Sequence, residues 1–204
     1  MALAHVKAKR PAKSQMLLGL RGVGKTVLLN RIADLARALD YETVILEAPE
    51  SKTLAESLYP PLRGVLYRLS SVENAKHLAR RALGVLRGFA SAFKITVGEV
   101  EIGIEGEKGT ADSGNLEADL PELLTAVAQA AEAASKPVAL FIDEIQYLEP
   151  EDLSALIVAD HKIGQQGHPF ILFGAGLPMV AGLAGEAKSY AERLFEYPDV
   201  GPLA

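Results

Sequence analysis

The sequence predicts an α/β fold, in which a parallel sheet of about five strands is covered by helices on both faces. Short apolar runs stop at turn residues or acidic residues, as strands that are buried on both faces do. Amphipathic segments separate these runs, which indicates that helices connect parallel strands. The chain has 204 residues, of which 49% are apolar, and this is enough for one sizeable core.

Four apolar runs are the strand candidates, and they lie at residues 15–18, 43–46, 138–142 and 169–173. The first run is followed by an amphipathic helix over residues 25–39. Its apolar positions recur at spacings of four, three and four, and they are Leu28, Ile32, Leu35 and Leu39. We expect these leucine and isoleucine side chains to face the core.

Three further helical regions complete the alternation of strands and helices. Residues 51–93 have a helical pattern, which we expect to break at Pro60-Pro61 and again near Ser70-Ser71. Asp119 and Glu122 resemble a capping box, which predicts a helix from there to about residue 134. Pro150 is expected to open a helix that ends near Gly164.

The domain organisation is predicted to be simple. Residues 1–14 are basic and are interpreted as a linker or the tail of a helix, and residues 15–204 form one core. Residues 94–115 interrupt this core as an insertion. Ile95 and Val97 alternate with polar residues, and residues 100–104 alternate in the opposite register. Gly98-Glu99 between them suits a two-residue turn, so a β-hairpin followed by a loop is expected.

Composition excludes several classes of protein. No run of about 18 apolar residues is long enough to cross a membrane, so no membrane partner is expected. The chain has no cysteine, which argues against a disulfide framework and fits a cytoplasmic protein. The formal net charge is −5, which argues against a dedicated nucleic-acid-binding domain. A basic stripe at Lys76, Arg80, Arg81 and Arg87 is better interpreted as a solvated helix face than as a DNA contact.

The most specific motif runs from Gly19 to Thr26, and we call it the phosphate loop. Its sequence, GLRGVGKT, matches G-x-x-x-x-G-K-[ST] at every fixed position and lies between a strand and a helix. Glycines allow backbone N–H groups to surround a phosphate, and the helix N-terminus attracts the same anion. We expect ATP or ADP to contact Gly19, Arg21, Gly22, Val23, Gly24, Lys25, Thr26 and Val27.

Within this motif, individual side chains have distinct expected roles. Lys25 neutralises charge on the β- and γ-phosphates, and the Thr26 hydroxyl is a Mg²⁺ ligand. A second motif, VALFIDE, ends a buried strand with Asp143-Glu144. Ligands bind at the carboxyl ends of parallel strands, so this acid pair is expected beside the phosphate loop. Asp143 is the expected Mg²⁺ ligand, and Glu144 is the expected general base that polarises the attacking water.

Together, residues 18–26 and residues 141–146 resemble the AAA+ superfamily and its STAND-type relatives. Within that group, the chain most resembles the archaeal and bacterial ATPases related to replication initiators. The resemblance implies a P-loop NTPase fold with strand order 5-1-4-3-2, an ATP site at the carboxyl edge of the sheet and a helical lid after strand five. It also implies that an arginine finger precedes strand five, at Arg193, and that the last strand lies near residues 195–200. A finger acts in trans or across a moving domain, so a homo-oligomer is an expected partner.

The chain departs from the family pattern in three places. Residues 173–177 have no polar side chain where such ATPases place a sensor residue, so either hydrolysis is slow or Gln146 substitutes for the sensor. The sequence ends before a lid, and most of the segment that cradles adenine is missing. The expectation is therefore a fragment whose parent protein supplies the lid, a C-terminal domain and any contact with DNA.

Three alternative functions compete with a slow, Mg²⁺-dependent ATPase switch. A nucleotide-binding regulatory module without significant hydrolysis would also suit the sensor-free residues Gly174, Ala175 and Gly176. A small-molecule kinase is disfavoured, since Asp143-Glu144 suits water activation and no lid arginines are visible. A GTPase is disfavoured because no Asn-Lys-x-Asp motif occurs.

Overall fold

The structure is a computed structural model, and it describes residues 2–48, 52–96, 106–198 and 200–201. Its elements follow one another as α1 (Ala2–Lys7), β1 (Ser14–Leu18), α2 (Lys25–Ala38), β2 (Glu42–Glu47), α3 (Leu54–Ser70), α4 (Lys76–Ala92), α5 (Leu116–Ala133), β3 (Val138–Asp143), a 3₁₀ turn (Ile145–Tyr147), α6 (Pro150–Gln166), β4 (Phe170–Gly176), α7 (Val180–Ala187), α8 (Ala191–Leu194) and β5 (Phe195–Glu196).

The five strands form one parallel sheet in the order β2-β3-β4-β1-β5. Read from the other edge, this is the predicted order 5-1-4-3-2, so the expected fold class is confirmed. The last strand is shorter than expected, because only Phe195 and Glu196 pair with β1. Beyond it, the Val200 N–H donates to the Leu18 carbonyl at 3.1 Å, so the chain returns to the end of β1.

Two hydrophobic cores lie on opposite faces of this sheet. One face packs against α1 and α2, and its centre is the stacked pair Phe141 and Phe173, whose ring centroids are 5.1 Å apart. The other face packs against helices that include α3, α5 and α6. Alternate strand residues enter each core, so β3 and β4 are buried on both faces. The result is a three-layer α/β domain.

The buried side of α2 differs from the prediction. Leu29, Ala33 and Ala36 face the sheet, whereas Leu28 and Leu35 are 37% and 52% exposed. The helix starts directly from Gly24, whose left-handed conformation fixes the first turn. Small alanines then allow the helix to approach the sheet closely, so the leucine spacing does not define the core face.

The break expected at Pro60-Pro61 is wrong, since α3 continues through both prolines. Thr53 and Glu56 form a capping box that fixes its start. Buried side chains occur on both sides of the prolines, from Leu54 to Leu69. Their packing outweighs the roughly 3 kcal/mol that a proline costs inside a helix. The second expected break is confirmed, because α3 ends at Ser70.

The start of α5 also corrects the prediction. The helix begins three residues before Asp119, and its N-cap is Asn115, whose side chain accepts the Ala118 N–H at 3.2 Å. Asp119 is buried and accepts hydrogen bonds from Ser113 and Gly114 instead, so it fixes the preceding loop to the helix. Most of the predicted hairpin, residues 97–105, lies outside the described residues. Its expected strands and turn therefore stay a prediction.

Candidate nucleotide-binding site

The phosphate loop is fixed at its first residue. The Gly19 N–H donates to the Gly176 carbonyl at 3.2 Å, which ties the loop to the end of β4. A Cβ atom on Gly19 would lie 2.7 Å from the Val200 carbonyl oxygen, so only glycine fits there. The loop therefore starts in a narrow space between β4 and the segment that follows β5.

Backbone geometry makes the loop suitable for an anion. Gly22 and Gly24 have φ angles of 81° and 91°, in the region that favours glycine. Within the described chain, none of the N–H groups of residues 20–24 donates to another backbone group. The first N–H groups of α2 have no partner inside the helix either. Free backbone donors and a helix N-terminus at one place are the features of a phosphate cradle.

The side chains of the loop differ in exposure. Lys25 is only 7% exposed, and its Nζ donates to the Leu20 carbonyl at 2.8 Å. Thr26 and Val27 are exposed in the first turn of α2. Arg21 is exposed too, and its guanidinium donates to the Tyr147 hydroxyl at 3.1 Å. The lysine of the loop is thus buried, and its arginine is exposed.

The acid pair lies at the same edge of the sheet as the loop. Asp143 is the last residue of β3, and its Oδ1 accepts the Glu144 N–H at 2.9 Å. Glu144 has a φ angle of 51°, a left-handed conformation that turns the chain out of the strand. One strand, β4, separates β3 from β1. The two sequence motifs therefore lie at the same end of the sheet with the end of β4 between them, and both carboxylates are partly exposed.

The available ligands fit Mg²⁺ better than a metal that needs a protein cage. Among the described residues, no group of three or more His, Cys, Asp or Glu side chains is placed to hold a metal. Asp143 has one carboxylate oxygen beyond its hydrogen bond to Glu144, and the Thr26 hydroxyl is exposed. Mg²⁺ characteristically takes one or two protein oxygens and completes its shell with phosphate and water. This donor set therefore suits Mg²⁺ bound together with a nucleotide.

The end of β4 explains why no polar sensor residue is found there. A Cβ atom on Gly174 would lie 2.5 Å from Met16 Sδ, and one on Gly176 would lie 2.8 Å from Gln146 Oε1. The 3₁₀ turn after Glu144 covers these glycines. Gln146 accepts the Leu177 N–H at 3.1 Å and donates to Glu144 Oε2. An amide from the 3₁₀ turn that follows β3 thus occupies this position.

Arg193 is not brought to the phosphate loop of its own chain. It lies in α8, just before β5, and Phe195 at the start of β5 pairs with Ser14 at the start of β1. The phosphate loop follows the other end of β1. At roughly 3.3 Å per strand residue, the loop begins about 16 Å from Ser14. Among the described residues, Arg193 makes no ion pair with Glu192 or Glu196. Its exposed side chain is free to meet another molecule.

The basic stripe is partly neutralised. Arg81 pairs with Glu107 at 2.9 Å, and Lys76 lies 3.9 Å from Glu73. The pairing with Glu107 raises the pKa of Arg81. The expectation that this stripe is a solvated helix face rather than a DNA contact stays a prediction.

In the part of the chain that the structure describes, no helix combines the length and apolar character needed to cross a membrane.

Sequence reasoning missed Tyr147 as the partner of Arg21 and Leu177 as the partner of Gln146. Neither contact has a sequence signal, because both join segments that are far apart in the chain. The sequence presents Gly176 only as a position without a side chain. Its tight contact with Gln146 shows that the glycine is required by packing.

Comparison with known proteins adds one result. A family model described as an AAA ATPase domain matches residues 2–171. The matched range contains the phosphate loop and the acid pair, and it ends before Arg193. No curated protein and no solved structure matches the chain.

Proposed function

The chain belongs to the AAA ATPase domain family, and on that premise we propose that it binds Mg-ATP at the phosphate loop and hydrolyses it slowly. The observation that carries the proposal is the arrangement at the carboxyl edge of the sheet. The loop follows β1, the acid pair follows β3, and hydrogen bonds through Gly176 and Leu177 join both segments to β4. Phosphate binding and water activation need these groups at one edge.

Binding rests on the backbone and three side chains. The N–H groups of the loop and of the first turn of α2 receive the phosphate oxygens. Lys25 lies buried beneath the loop, where it neutralises phosphate charge with little screening by water. Thr26 and Asp143 would hold Mg²⁺, which neutralises charge on the phosphates when it is bound.

In the proposed hydrolysis, Glu144 is the general base. Its carboxylate accepts a proton from the attacking water, whose oxygen forms a bond to the γ-phosphorus. The bond from that phosphorus to the bridging oxygen breaks, and ADP leaves with the electron pair. The products are ADP and phosphate. Slow turnover is expected, because no side chain of β4 itself donates to the γ-phosphate.

A role as the switch core of a larger protein extends this proposal. Exposed Arg193, at the end of the sheet opposite to its own loop, suits a finger that acts on the site of a second copy. The resemblance to ATPases related to replication initiators adds a lid, further domains and DNA as partners of the parent protein. Residues 18–26 and 141–146 carry that resemblance.

The alternative function is a nucleotide-binding module that does not hydrolyse ATP usefully. The packing of Gly174 and Gly176, which leaves no room for a side chain at either position, favours it. The two functions share the phosphate loop and differ only in turnover.

Phosphate release with Mg-ATP separates the two functions. Glu144→Gln in the full protein is expected to lower turnover by about 100-fold or more while ATP affinity changes little. Glu149→Gln, which removes an exposed carboxylate from the start of α6, is the matched control and should keep full turnover. Equal and near-zero rates for wild type and Glu144→Gln, with ATP still bound, would exclude hydrolysis and favour the alternative.

A further inference from the structure

The Gln146 side chain joins the ends of two neighbouring strands. Its Oε1 accepts the Leu177 N–H at 3.1 Å, just beyond β4, and its Nε2 donates to Glu144 Oε2, just beyond β3. Leu177 offers only a donor there, and the ionised Glu144 offers only acceptors. One orientation of the amide satisfies both partners, so the network itself fixes which end faces the carboxylate.

Packing around Gln146 keeps this amide in place. The Gly176 Cα lies so close that an added Cβ would meet Gln146 Oε1 at 2.8 Å. Ile145, the preceding residue of the 3₁₀ turn, is 1% exposed and packs against the same glycine. The side chain of Gln146 therefore packs against the end of β4 while its amide nitrogen donates to Glu144.

The hydrogen bond leaves the carboxylate half free. Gln146 binds Glu144 Oε2, and Asp143 binds only the backbone N–H of Glu144. Within the described residues, no protein group donates to Glu144 Oε1. Because the amide holds Oε2, the direction of the whole carboxylate is fixed. The other oxygen, Oε1, is the one available to a water molecule.

We propose that Gln146 is a positioning residue, which holds the Glu144 carboxylate at the end of β4 so that its free oxygen faces the attacking water. This rests on the proposed hydrolysis. An amide that follows β3 then supplies a function that β4 cannot supply, because Gly174 and Gly176 have no room for a side chain. The role is one of orientation, since Gln146 touches the base and not the phosphate.

Two substitutions at Gln146 distinguish the effects of its two hydrogen bonds. Gln146→Met keeps the length and removes both bonds. Gln146→Glu keeps an acceptor for the Leu177 N–H but places a carboxylate against Glu144. Gln15→Met is the matched control. Gln15 Nε2 donates to Glu196 Oε2 at 3.1 Å, so the two residues form a similar glutamine–glutamate pair, at the end of β1 that is far from the phosphate loop.

Steady-state kinetics provide the first test. Both Gln146 variants are expected to lower kcat about 10- to 100-fold, with KM for ATP within about twofold of wild type. Gln15→Met is expected to keep both constants. A purely structural role would instead lower the melting temperature and leave kcat per folded molecule unchanged, and that result would overturn the proposal.

Hydrogen exchange at the Leu177 amide provides a readout that does not depend on turnover. Exchange is expected to be slow in wild type and in Gln146→Glu, and faster in Gln146→Met. Equal exchange in all three proteins would overturn the proposed contact. If Gln146→Met turns over like wild type while Glu144→Gln is inactive, only the role of Gln146 is wrong. If wild-type turnover does not need Glu144, the proposed hydrolysis fails and the role of Gln146 fails with it.

Discussion

Lys25 Nζ donates to the carbonyl oxygen of Leu20 at 2.8 Å, so the lysine of the phosphate loop binds the backbone of the loop itself. The contact closes a ring of the chain from residue 20 to residue 25. It keeps the ammonium beneath the loop, where the lysine side chain is 7% exposed. The buried ammonium thus adds positive charge beside the backbone of the loop.

Gly176→Ala is expected to destabilise the domain by about 1–3 kcal/mol, because the new Cβ would meet atoms of Gln146, Ile145 and Val180 at 2.8–3.0 Å. Chemical denaturation measures this change. Gly164→Ala is the control, since nothing lies within 4 Å of its added Cβ and it sits in an exposed part of α6. That variant should gain about 0.5–1 kcal/mol from helix propensity. Equal stability of the two variants would contradict the packing at the end of β4.

The orientation of α2 predicts opposite results for two leucines. Leu29→Ala should cost about 2–5 kcal/mol, because Leu29 is 2% exposed in the core beneath the sheet. Leu35→Ala should cost less than about 1 kcal/mol, because Leu35 is 52% exposed. Unfolding free energies of both variants measure the difference. A larger loss of stability in Leu35→Ala than in Leu29→Ala would instead support the orientation of α2 that the leucine spacing predicts.

Sequence patterns predicted the elements whose signals are local. Apolar runs located β1 to β4, and Pro150 marked the start of α6. The strand order came from the family resemblance, and the sheet confirms it. The buried side of α2 and the continuation of α3 through Pro60-Pro61 could not be predicted, because packing against the rest of the domain decides both.

The candidate site was predictable in its residue types and not in its contacts. The motifs identified Lys25 and Asp143-Glu144, and their strands end at one edge of the sheet. The partners of Arg21 and Gln146 come from segments 31 to 126 positions away. Such contacts follow from tertiary packing, which no local pattern encodes.

Asp160 predicts a pH dependence of stability. It is buried beneath the sheet and accepts a hydrogen bond from the Ser14 hydroxyl at 2.6 Å. Burial raises its pKa from 3.8 to about 7, an effect that the Ser14 hydrogen bond only partly opposes. Between these two pKa values the folded protein keeps a proton that the unfolded chain loses. The free energy of unfolding should therefore fall as pH rises from about 4 to about 7.

Asp160→Asn should remove this fall. Each unit of pKa shift corresponds to about 1.4 kcal/mol. The difference in stability between the variant and wild type should therefore favour the variant more at pH 8 than at pH 4.5. Denaturant titrations across this pH range measure the slope. Asp34→Asn, at an exposed position of α2, is the control and should follow wild type. An unchanged slope in Asp160→Asn would show that another group causes the pH dependence.

Arg193 predicts complementation between two impaired variants. Arg193→Ala should bind ATP but turn over more slowly than wild type, because its own site is intact and no copy provides the finger. Mixed with Glu144→Gln, it should regain turnover, since the partner provides the arginine. A mixture of Glu144→Gln with Lys25→Ala should stay inactive and is the control. If the first mixture is no more active than its components, Arg193 does not act in trans.

The affinity of Lys25→Ala for Mg-ATP tests the central claim most directly. Removing the buried ammonium should weaken binding roughly 100-fold or more, as loss of one partner from a buried charge pair does. Lys13→Ala, which removes an exposed lysine just before β1, should bind like wild type. Titration calorimetry measures both dissociation constants. Loss of affinity in Lys25→Ala alone is the predicted result, and unchanged binding in that variant would contradict the assignment of residues 19–26 as the phosphate loop.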